Sequence, residues 1–479
     1  MSAAELPAGG LRIGGRTVDA ADGGAFAVFD PASEQPIAEV ANGTVADALA
    51  AADAAAAAAS DWAGRAPRER SEILRAAFEL MSERSAKLAE LIVRENGKPI
   101  ADANGEVAYA AEFFRWYAEE AVRNLGSFGL SPGGANRMLV VHQPVGVCLL
   151  ITPWNFPAAM ATRKIGPALA AGCTVVLKPA SETPLTALAV ADLLAEAGVP
   201  DGAVNVVPSR RSGEVASALL AHDAVRKLSF TGSTEVGRVL LGEASTRVVN
   251  SSMELGGNAP FLVFADADLD AAVDGAMVAK MRNIGEACTA ANRFYVEAPV
   301  AEEFARRLAE RMGGLGVGPG LEGAAVGPLV NAAAVESVGE LVADATERGA
   351  RVLCGGRAVD RPGHFYEPTV LAGVPAGARL LAEEIFGPVA PIVAFDSEDE
   401  AIAAANDTEY GLVSYVYSRD LDRALRVGER LEAGMIAVNR GLVSDPAAPF
   451  GGVKQSGLGR EGGHEGLLDY TESKYFAIP

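Results

Sequence analysis

The alternation of short apolar strands with helices between Gly146 and Leu255 is the sequence feature that most constrains the fold. The apolar runs lie at 147–151, 174–177, 204–207, 227–230 and 248–254. Strands separated by helix-length segments are typical of βαβ units, in which helices cover both faces of a parallel sheet. We therefore predict an α/β domain with a ligand site at the carboxyl ends of its strands, where open parallel sheets bind nucleotides.

A second series of the same kind follows Gly256 and Gly257 and runs to about Val443. Its strands are expected at 260–264, 294–296, 351–354, 392–395, 412–417 and 435–438. A chain of 479 residues is too long for one simple core, so its length agrees with two α/β domains. The Gly/Ser/Pro-rich sequence at 126–136 and the apolar run 138–143 after it are expected to form a β ribbon that leaves the domain body, and 470–478 is expected to form a terminal strand.

Charge and composition exclude several classes of function. A formal charge of −21 argues against a surface for nucleic acid or anionic membranes, because both need clustered Lys and Arg. The N-terminal sequence has no signal-peptide pattern, and no apolar run approaches the ~20 residues that span a bilayer. Four cysteines without a CxxC pair and four scattered histidines predict neither disulfides nor a metal site. We expect a cytoplasmic protein.

Cys288 has the most unusual setting of the four cysteines. Its neighbours within 282–293 are small, polar or cationic, whereas Cys148, Cys173 and Cys354 stand in apolar or Gly/Ala-rich runs. A cysteine in such runs usually behaves as a small buried hydrophobic residue. Cys288 is either a packing residue or a nucleophile, and this window alone favours packing.

Other segments place polar groups at the ends of predicted strands. Asn155, in Pro-Trp-Asn-Phe-Pro, is either an oxyanion donor or a turn former. Glu254, before two glycines, is either a base or the cap of the next turn. The segment Gly232-Ser-Thr-Glu-Val-Gly237 opens a helix whose first N–H groups suit phosphate. The Gly-x-Gly-x-x-Gly pattern at 457–462 is not a dinucleotide motif, because no strand precedes it and too few residues follow.

Together these segments resemble the aldehyde dehydrogenase superfamily over about 29–475. The motifs that carry the resemblance, in the family's order, are Pro-Trp-Asn155-Phe-Pro, Lys178-Pro-Ala-Ser, Phe-Thr-Gly232-Ser, Glu254-Leu-Gly-Gly, Gly285-x-x-Cys288, Glu384-Ile-Phe386-Gly-Pro and Pro449-Phe-Gly-Gly. Cys288 follows Glu254 by 34 positions, as the family pattern expects. The resemblance changes the interpretation of Cys288 from packing residue to nucleophile.

The resemblance implies a three-part fold with two Rossmann-type parallel-sheet domains and an oligomerisation ribbon. The implied parts are a cofactor domain (1–124 and 143–255), a catalytic domain (256–448), and the ribbon with the C-terminal tail (125–142 and 449–479). It also implies a homodimer or homotetramer.

The resemblance further implies the roles of individual residues. Cys288 attacks the aldehyde, Asn155 and the Cys288 N–H hold the oxyanion, hydride passes to the nicotinamide, and Glu254 activates water to hydrolyse the thioester. Such a base argues against a CoA-acylating relative. The implied cofactor contacts are Trp154, Lys178, Ser181, Gly232, Ser233, Gly237, Glu384 and Phe386.

The choice between NAD and NADP depends on Lys178-Pro-Ala-Ser181. NAD-preferring members of the family commonly carry Glu three residues after this lysine, whereas this chain has Ser181 there and Glu182 one step beyond. A carboxylate about 4 Å from a 2′-phosphate would repel it by several kcal/mol at an effective dielectric of ~20. We therefore expect NADP or NAD, with a preference for NADP.

Within the superfamily the chain most resembles succinate-semialdehyde dehydrogenases. The resemblance rests on Ala159-Met-Ala-Thr-Arg163-Lys, Arg282-Asn-x-Gly and Gly-Leu-Val-Ser444. In that subfamily the residues matching Arg163, Arg282 and Ser444 bind the distal carboxylate of the substrate. Two arginines and a hydroxyl are a suitable anion site, but both arginines are alternatively structural ion-pair partners.

Three positions depart from the family pattern. Glu286 replaces the usual Gln and is expected to raise the pKa of Cys288. Ala290 leaves no second cysteine, so no local disulfide is expected. Arg440 is expected either to add a cation to the mouth of the site or to favour a longer substrate such as glutarate semialdehyde.

Two rival functions stay open. One is a broader aldehyde dehydrogenase acting on uncharged or aromatic aldehydes, and the other is a cofactor-binding structural protein that has lost catalysis.

Overall fold

A computed structural model describes residues 6–479 as an α/β protein. The strands, labelled in chain order, are β1 (Leu11–Ile13), β2 (Arg16–Val18), β3 (Ala25–Phe29), β4 (Pro36–Ala41), β5 (Ser127–Leu130), β6 (Arg137–Pro144), β7 (Val147–Ile151), β8 (Thr174–Lys178), β9 (Val204–Val206), β10 (Val225–Thr231), β11 (Asn250–Glu254), β12 (Ala259–Val263), β13 (Ala291–Glu297), β14 (Arg351–Cys354), β15 (Thr369–Ala372), β16 (Val389–Phe395), β17 (Val413–Tyr417), β18 (Met435–Val438), β19 (Gly457–Leu458) and β20 (Thr471–Ile478).

The α-helices alternate with these strands over most of the chain. They are α1 (Val45–Gly64), α2 (Pro67–Glu83), α3 (Ser85–Asn96), α4 (Ile100–Ala121), α5 (Pro157–Ala171), α6 (Pro184–Glu196), α7 (Ser212–Ala221), α8 (Thr234–Ser245), α9 (Leu269–Met281), α10 (Ala298–Gly313), α11 (Ala332–Glu347), α12 (Glu398–Asn406), α13 (Leu421–Arg430) and α14 (Glu465–Leu468). None of them within 6–479 is long and apolar enough to cross a membrane.

The first large sheet has the strand order β19-β11-β10-β7-β8-β9-β1-β2. Strands β11, β10, β7, β8 and β9 are parallel, as the alternation of strands and helices predicts. From β7 the chain turns to β8 on one side and later returns to β10 on the other. The loops after β7 and β10 therefore flank a switch point at the carboxyl edge, where open α/β sheets bind their ligands.

The second large sheet has the order β14-β15-β16-β13-β12-β17-β18. Its strands are parallel except β14, which pairs antiparallel with β15 at the edge. Strand β15 has no counterpart among the predicted strands. It is only four residues long, too short a run to give a clear strand pattern in the sequence. The prediction of an α/β fold with two parallel-sheet units is confirmed.

The ribbon is a separate three-stranded antiparallel sheet in the order β20-β6-β5. The last strand pairs with β6 from Thr471 opposite Pro144 to Ile478 opposite Arg137. The tail segment 449–479 is divided, because its strand β19 joins the first large sheet. The pattern at 457–462 therefore opens no βαβ unit.

Helix α5 brings Met160 and Arg163 to the site. It begins at Pro157, whose missing N–H costs nothing at the first helical position, and every residue of the helix is buried. Two N–H groups of its first turn, from Ala158 and Ala159, donate to the buried carboxylate of Glu106. A buried carboxylate at a helix N-terminus stabilises the helix and fixes the loop before it.

Candidate active site

A cavity of about 260 Å³ opens at the switch point between the two large sheets. Most of the predicted site residues line it: Trp154, Asn155, Arg163, Gly232, Ser233, Arg282, Cys288, Glu384, Phe386 and Ser444. The structure therefore brings together, from segments far apart in sequence, side chains that the motifs had indicated one by one.

Cys288 lies in a loop that is held by an unusual turn. Asn283 and Ile284 have φ angles of 52° and 61°, in the left-handed region that L-residues rarely adopt. The Asn283 N–H donates to Asp102 at 2.8 Å, and its side-chain amide donates to the carbonyls of Asn155 at 3.0 Å and Glu286 at 2.8 Å. These bonds keep the turn in place and hold it against the Asn155 loop.

The loop is also fixed on the far side of Cys288. The Tyr415 hydroxyl donates to the Thr289 carbonyl at 2.8 Å. Gly257 packs so closely against the Cys288 carbonyl that a Cβ at that position would clash with it. Glycine is therefore required at Gly257, which explains the second glycine after Glu254.

Asn155 and the Cys288 backbone present N–H groups to the cavity. One N–H of the Asn155 amide donates to the Glu286 carbonyl at 3.0 Å, so the second N–H of the same group remains available. The Cys288 N–H has no acceptor within the described part of the chain. The buried Lys98 donates to the Asn155 carbonyl at 2.7 Å and forms an ion pair with Glu106. This pair, which sequence analysis did not identify, fixes the Asn155 loop.

Cys288 is partly exposed, unlike the buried Cys148 and Cys173. Burial of the thiol raises its pKa to about 12, while Arg163 and Arg282 act in the opposite direction and Glu384 and Glu254 add to the increase. A neutral thiol therefore predominates at neutral pH. The pKa of Cys288 is raised, as expected, but Glu286 is not the cause. Its carboxylate points away from Cys288 and accepts the Val330 N–H at 3.0 Å.

Glu254 ends β11 and is buried beside the cavity rather than in its lining. Burial and the neighbouring Glu461 raise its pKa well above the usual value, and Arg163 and Lys164 oppose the shift. One of its oxygens has no hydrogen-bond partner in residues 6–479. A buried carboxyl group with a raised pKa and a free oxygen is suited to accepting a proton.

Arg163 lies on α5 with only 1% of its surface exposed. Its guanidinium forms an ion pair with Glu461 at 2.5 Å and lies over the Phe450 ring at 4.2 Å. Glu461 also pairs with Lys164. Glu461 lies within the glycine pattern at 457–462. This segment thus supplies the carboxylate that pairs with Arg163, a role that its glycines did not indicate.

Arg282 reaches the same cavity from the end of α9. Its guanidinium lies over the Phe156 ring at 4.8 Å and has no hydrogen-bond or ion-pair partner in residues 6–479. Ser444 lines the cavity as well. Arg440 is exposed and lies outside the cavity lining, so the expectation of a third cation there is not supported.

Sequence analysis missed several aromatic residues that line the cavity: Tyr109, Phe156 and Phe450. Tyr109 lies on α4 with its ring edge-on to that of Phe113, the two ring centroids 4.8 Å apart. The helical spacing of an aromatic residue is the same whether it faces a core or a cavity, so the sequence carries no signal that separates the two.

Glu384 and Phe386 form the side of the cavity next to the glycine pair. Glu384 accepts the Gly257 N–H at 3.1 Å, and burial raises its pKa to about 8. The Phe386 ring stands edge-on to Trp154, with the ring centroids 5.5 Å apart. Phe386 has a φ of 48°, in the left-handed region that residues other than glycine rarely adopt.

The turn after β10 also has the predicted form. Ser233 caps α8 by accepting the Val236 N–H at 3.4 Å, and Gly232 lines the cavity. Gly237 lies one turn into the helix, where a larger residue would clash with Leu255. Gly237 therefore serves the packing of α8 on the sheet and does not line the cavity.

Lys178 and Ser181 lie outside this cavity, at and after the carboxyl end of β8. Lys178 is 5% exposed, and its ammonium group has no hydrogen-bond or ion-pair partner in the described chain. Burial lowers its pKa to about 8, and Glu182 opposes the shift. Ser181 donates to Glu182 at 3.2 Å and lines a second cavity.

The residues at the switch point fit a nicotinamide dinucleotide. A buried lysine without a partner and the N-terminus of α8 suit its phosphates, and the Glu384 carboxylate suits ribose hydroxyls. The edge-on Trp154 and Phe386 rings supply an apolar wall for a flat ring. Groups of His, Cys, Asp and Glu that would hold a metal do not occur among residues 6–479.

Comparisons with known proteins identify the family of this chain. Residues 18–476 match the aldehyde dehydrogenase family. A succinate-semialdehyde dehydrogenase of Paenarthrobacter nicotinovorans is 57% identical over 92% of this chain and 98% of that protein. A glutarate-semialdehyde dehydrogenase of Pseudomonas putida is 50% identical over 97% of each chain. The crystal structure of an Escherichia coli NADP-dependent enzyme has a TM-score of 0.98 at 50% identity over 99% of each chain. The chain therefore belongs to the aldehyde dehydrogenase family and is an NAD(P)-dependent enzyme that oxidises aldehydes to carboxylic acids.

Proposed function

We propose that this enzyme oxidises succinate semialdehyde to succinate, with NADP as its preferred cofactor. The observation that carries the proposal is the Arg282 guanidinium, which has no ion-pair or hydrogen-bond partner in residues 6–479, in the cavity that holds Cys288. The rest of the cavity lining is mainly apolar. A short aldehyde with a carboxylate at its far end matches both properties, and the name of the relative from Paenarthrobacter nicotinovorans supports this substrate.

Arg163 and Ser444 complete the proposed carboxylate site. Both line the cavity, so the substrate carboxylate meets two guanidinium groups and a hydroxyl. Charge-assisted hydrogen bonds of this kind contribute about 1.5–3 kcal/mol each. We assign the larger share to Arg282, because Arg163 already balances Glu461.

In the first proposed step, the Cys288 sulfur attacks the aldehyde carbon. The oxyanion that forms accepts hydrogen bonds from the free Asn155 N–H and the Cys288 N–H. Because the pKa of Cys288 is raised, its thiol must lose a proton as the substrate binds. Glu254 lies close enough to Cys288 to influence the pKa of the thiol, and we propose that it accepts this proton. A proton acceptor with a raised pKa is matched to this task.

Bound NAD(P) supplies the acceptor for the hydride that the carbon loses, which leaves a thioester on Cys288. Glu254 then removes a proton from the water that attacks the thioester, and the acid is released with the thiol restored. Glu384, Trp154, Phe386, Gly232 and Ser233 are proposed to hold the cofactor at the cavity, together with Lys178, Ser181 and Gly237 nearer β8 and α8. The proposed cofactor domain (1–124 and 143–255) and catalytic domain (256–448) meet there.

The preference for NADP is supported by Ser181. A carboxylate at that position would repel a 2′-phosphate, whereas the hydroxyl of Ser181 and the unpartnered Lys178 favour it. The similarity to the NADP-dependent enzyme of Escherichia coli agrees with this choice.

We also propose that the enzyme is a cytoplasmic homodimer or homotetramer. The ribbon carries exposed apolar side chains that an oligomer would cover, such as Phe128 at 60% and Leu130 at 66% exposure. Sedimentation of the full chain would test this assembly.

Initial rates with succinate semialdehyde and butanal, each with NAD and with NADP, test the proposed activity. Butanal has the same four carbons but no carboxylate. We expect kcat/KM to be about 100-fold higher for the semialdehyde, which corresponds to ~3 kcal/mol from charge-assisted hydrogen bonds. Comparable rates would instead identify a broad-specificity aldehyde dehydrogenase.

Glutarate semialdehyde is the second candidate substrate, favoured by the similarity to the Pseudomonas putida enzyme. It carries the same terminal carboxylate on a chain one methylene longer. A higher kcat/KM for glutarate semialdehyde than for succinate semialdehyde would assign the enzyme to that substrate, with the same residues in the same roles.

A further inference from the structure

The second cavity, next to Ser181, has a volume of about 400 Å³ and contains an arginine to which the motifs assigned no role. Arg210 lies in the loop after β9, and Ser181 lies in the loop after β8. Because β8 and β9 are adjacent parallel strands, their carboxyl ends bring the two loops side by side. Arg210 and Ser181 line the same cavity.

Arg210 is held by contacts that leave its charge unbalanced. Its N–H donates to the Asn42 side chain at 2.9 Å, its guanidinium donates to the Ala27 carbonyl at 3.2 Å, and it lies 5.1 Å from the centre of the Phe26 ring. In the described residues it has no carboxylate partner. Its neighbour Arg211, in contrast, forms an ion pair with Asp22 at 2.7 Å.

The other titratable groups that line this cavity are three carboxyl groups and one histidine. The Glu95 carboxyl group accepts the N–H groups of Leu185 and Thr186, both at 2.8 Å, and burial raises its pKa to about 8. His364 lies 3.6 Å from Glu34. Among the described residues that line this cavity, Arg210 is the one arginine or lysine, so it is the cation that can offset Glu182 and Glu34 when an anion enters.

We propose that Arg210 is a specificity-determining residue that binds the 2′-phosphate of NADP. A phosphate beside Ser181 would meet the negative charge of Glu182, and Arg210 supplies the compensating positive charge and a planar set of donors. This inference rests on the proposed preference for NADP. Arg210, in the loop after β9, would thus act together with Lys178 and Ser181, which lie at and after the end of β8.

The experiment measures the binding of NADPH and NADH to the full-length enzyme by nicotinamide fluorescence, without turnover. Arg210→Ala is expected to weaken NADPH about 10-fold, a difference of ~1.4 kcal/mol, and to change NADH less than about 2-fold. Arg211→Ala is the matched control, because it removes a neighbouring arginine whose charge is already balanced by Asp22. This control should leave both dissociation constants unchanged.

The outcomes separate this inference from the proposed cofactor preference. If the unmodified enzyme prefers NADPH and Arg210→Ala keeps that preference, the role of Arg210 is wrong and the preference for NADP stands. If the unmodified enzyme binds NADH as tightly as NADPH, both are wrong. A preference that Arg210→Ala removes and that added salt weakens would support the inference, because exposed charges are screened.

Discussion

The two arginines that line the active-site cavity differ in what balances their charge. Arg163 lies on a fully buried helix and pairs with Glu461 at 2.5 Å, and the same carboxylate pairs with Lys164. Arg282 lies at the end of α9 with an aromatic ring beneath it and no ion-pair partner in the described chain. One region of the cavity wall is therefore a closed ion cluster, and the other presents a free cation.

This difference shows that residue type alone does not define an anion site. An arginine that is already paired in a buried cluster contributes to folding, because removing its partner leaves a buried charge without compensation. An unpaired arginine at a cavity has its charge available to a ligand. We therefore interpret Arg163 mainly as a structural ion-pair partner and propose Arg282 as the main ligand of the substrate carboxylate.

The largest effect is expected from Glu461→Gln, which breaks the closed cluster. The substitution leaves Arg163 and Lys164 buried without a counter-charge, so the free energy of unfolding should fall by about 3–5 kcal/mol. Urea denaturation at fixed protein concentration would measure this loss. The control is Glu310→Gln, which alters an ion pair with Arg306 in which Glu310 is 75% exposed and should change stability little. Equal losses for the two variants would contradict the comparison.

The next largest effect is expected from Arg282→Gln, which removes the free cation. We expect kcat/KM for succinate semialdehyde to fall about 100-fold, or ~3 kcal/mol, because the substrate carboxylate loses its main partner. The rate with butanal should change little. Arg440→Gln is the matched control, since Arg440 is exposed outside the cavity. An equal fall with both aldehydes would show that Arg282 serves catalysis or structure rather than selectivity.

A smaller effect on selectivity is expected from Arg163→Gln. Glu461 keeps Lys164 as a partner in this variant, so one cation and one carboxylate remain paired. We expect the ratio of kcat/KM for succinate semialdehyde to that for butanal to fall by about 10-fold or less. If this ratio fell further in Arg163→Gln than in Arg282→Gln, Arg163 would contribute more to substrate selectivity than Arg282, and the comparison would be refuted.

The smallest effect concerns the reactivity of Cys288 in the absence of substrate. Its pKa of about 12 means that alkylation by iodoacetamide should become faster with each step of pH from 7 to 10 without reaching a plateau, because the thiolate is the reactive form. Arg282 lowers this pKa, so Arg282→Gln should slow alkylation by a few-fold at pH 8. A plateau near pH 8 would show that the free enzyme already activates the thiol.

The strands of the first sheet were largely predictable because each one is a short apolar run between helix-length segments. The predicted strand at 147–151 coincides with β7. The other predicted strands of this sheet differ from the observed strands by no more than two residues at either end. Strand β15 was not predicted, and the antiparallel direction of β14 was not either, although β14 coincides with the predicted strand at 351–354. Strand pairing and direction depend on contacts with distant segments, and local composition does not record them.

The sequence by itself determined the α/β fold, the family and the residues that carry the proposed chemistry, because short motifs with fixed spacing record the turns and nucleophile that the reaction needs. Only the tertiary structure decided the charge environment of those residues. Glu461 lies 298 positions from Arg163, yet it sets the role of that arginine. Glu286 lies two positions from Cys288, yet its carboxylate points to Val330. Electrostatic interactions depend on distance in space and on burial, and neither follows from distance along the chain.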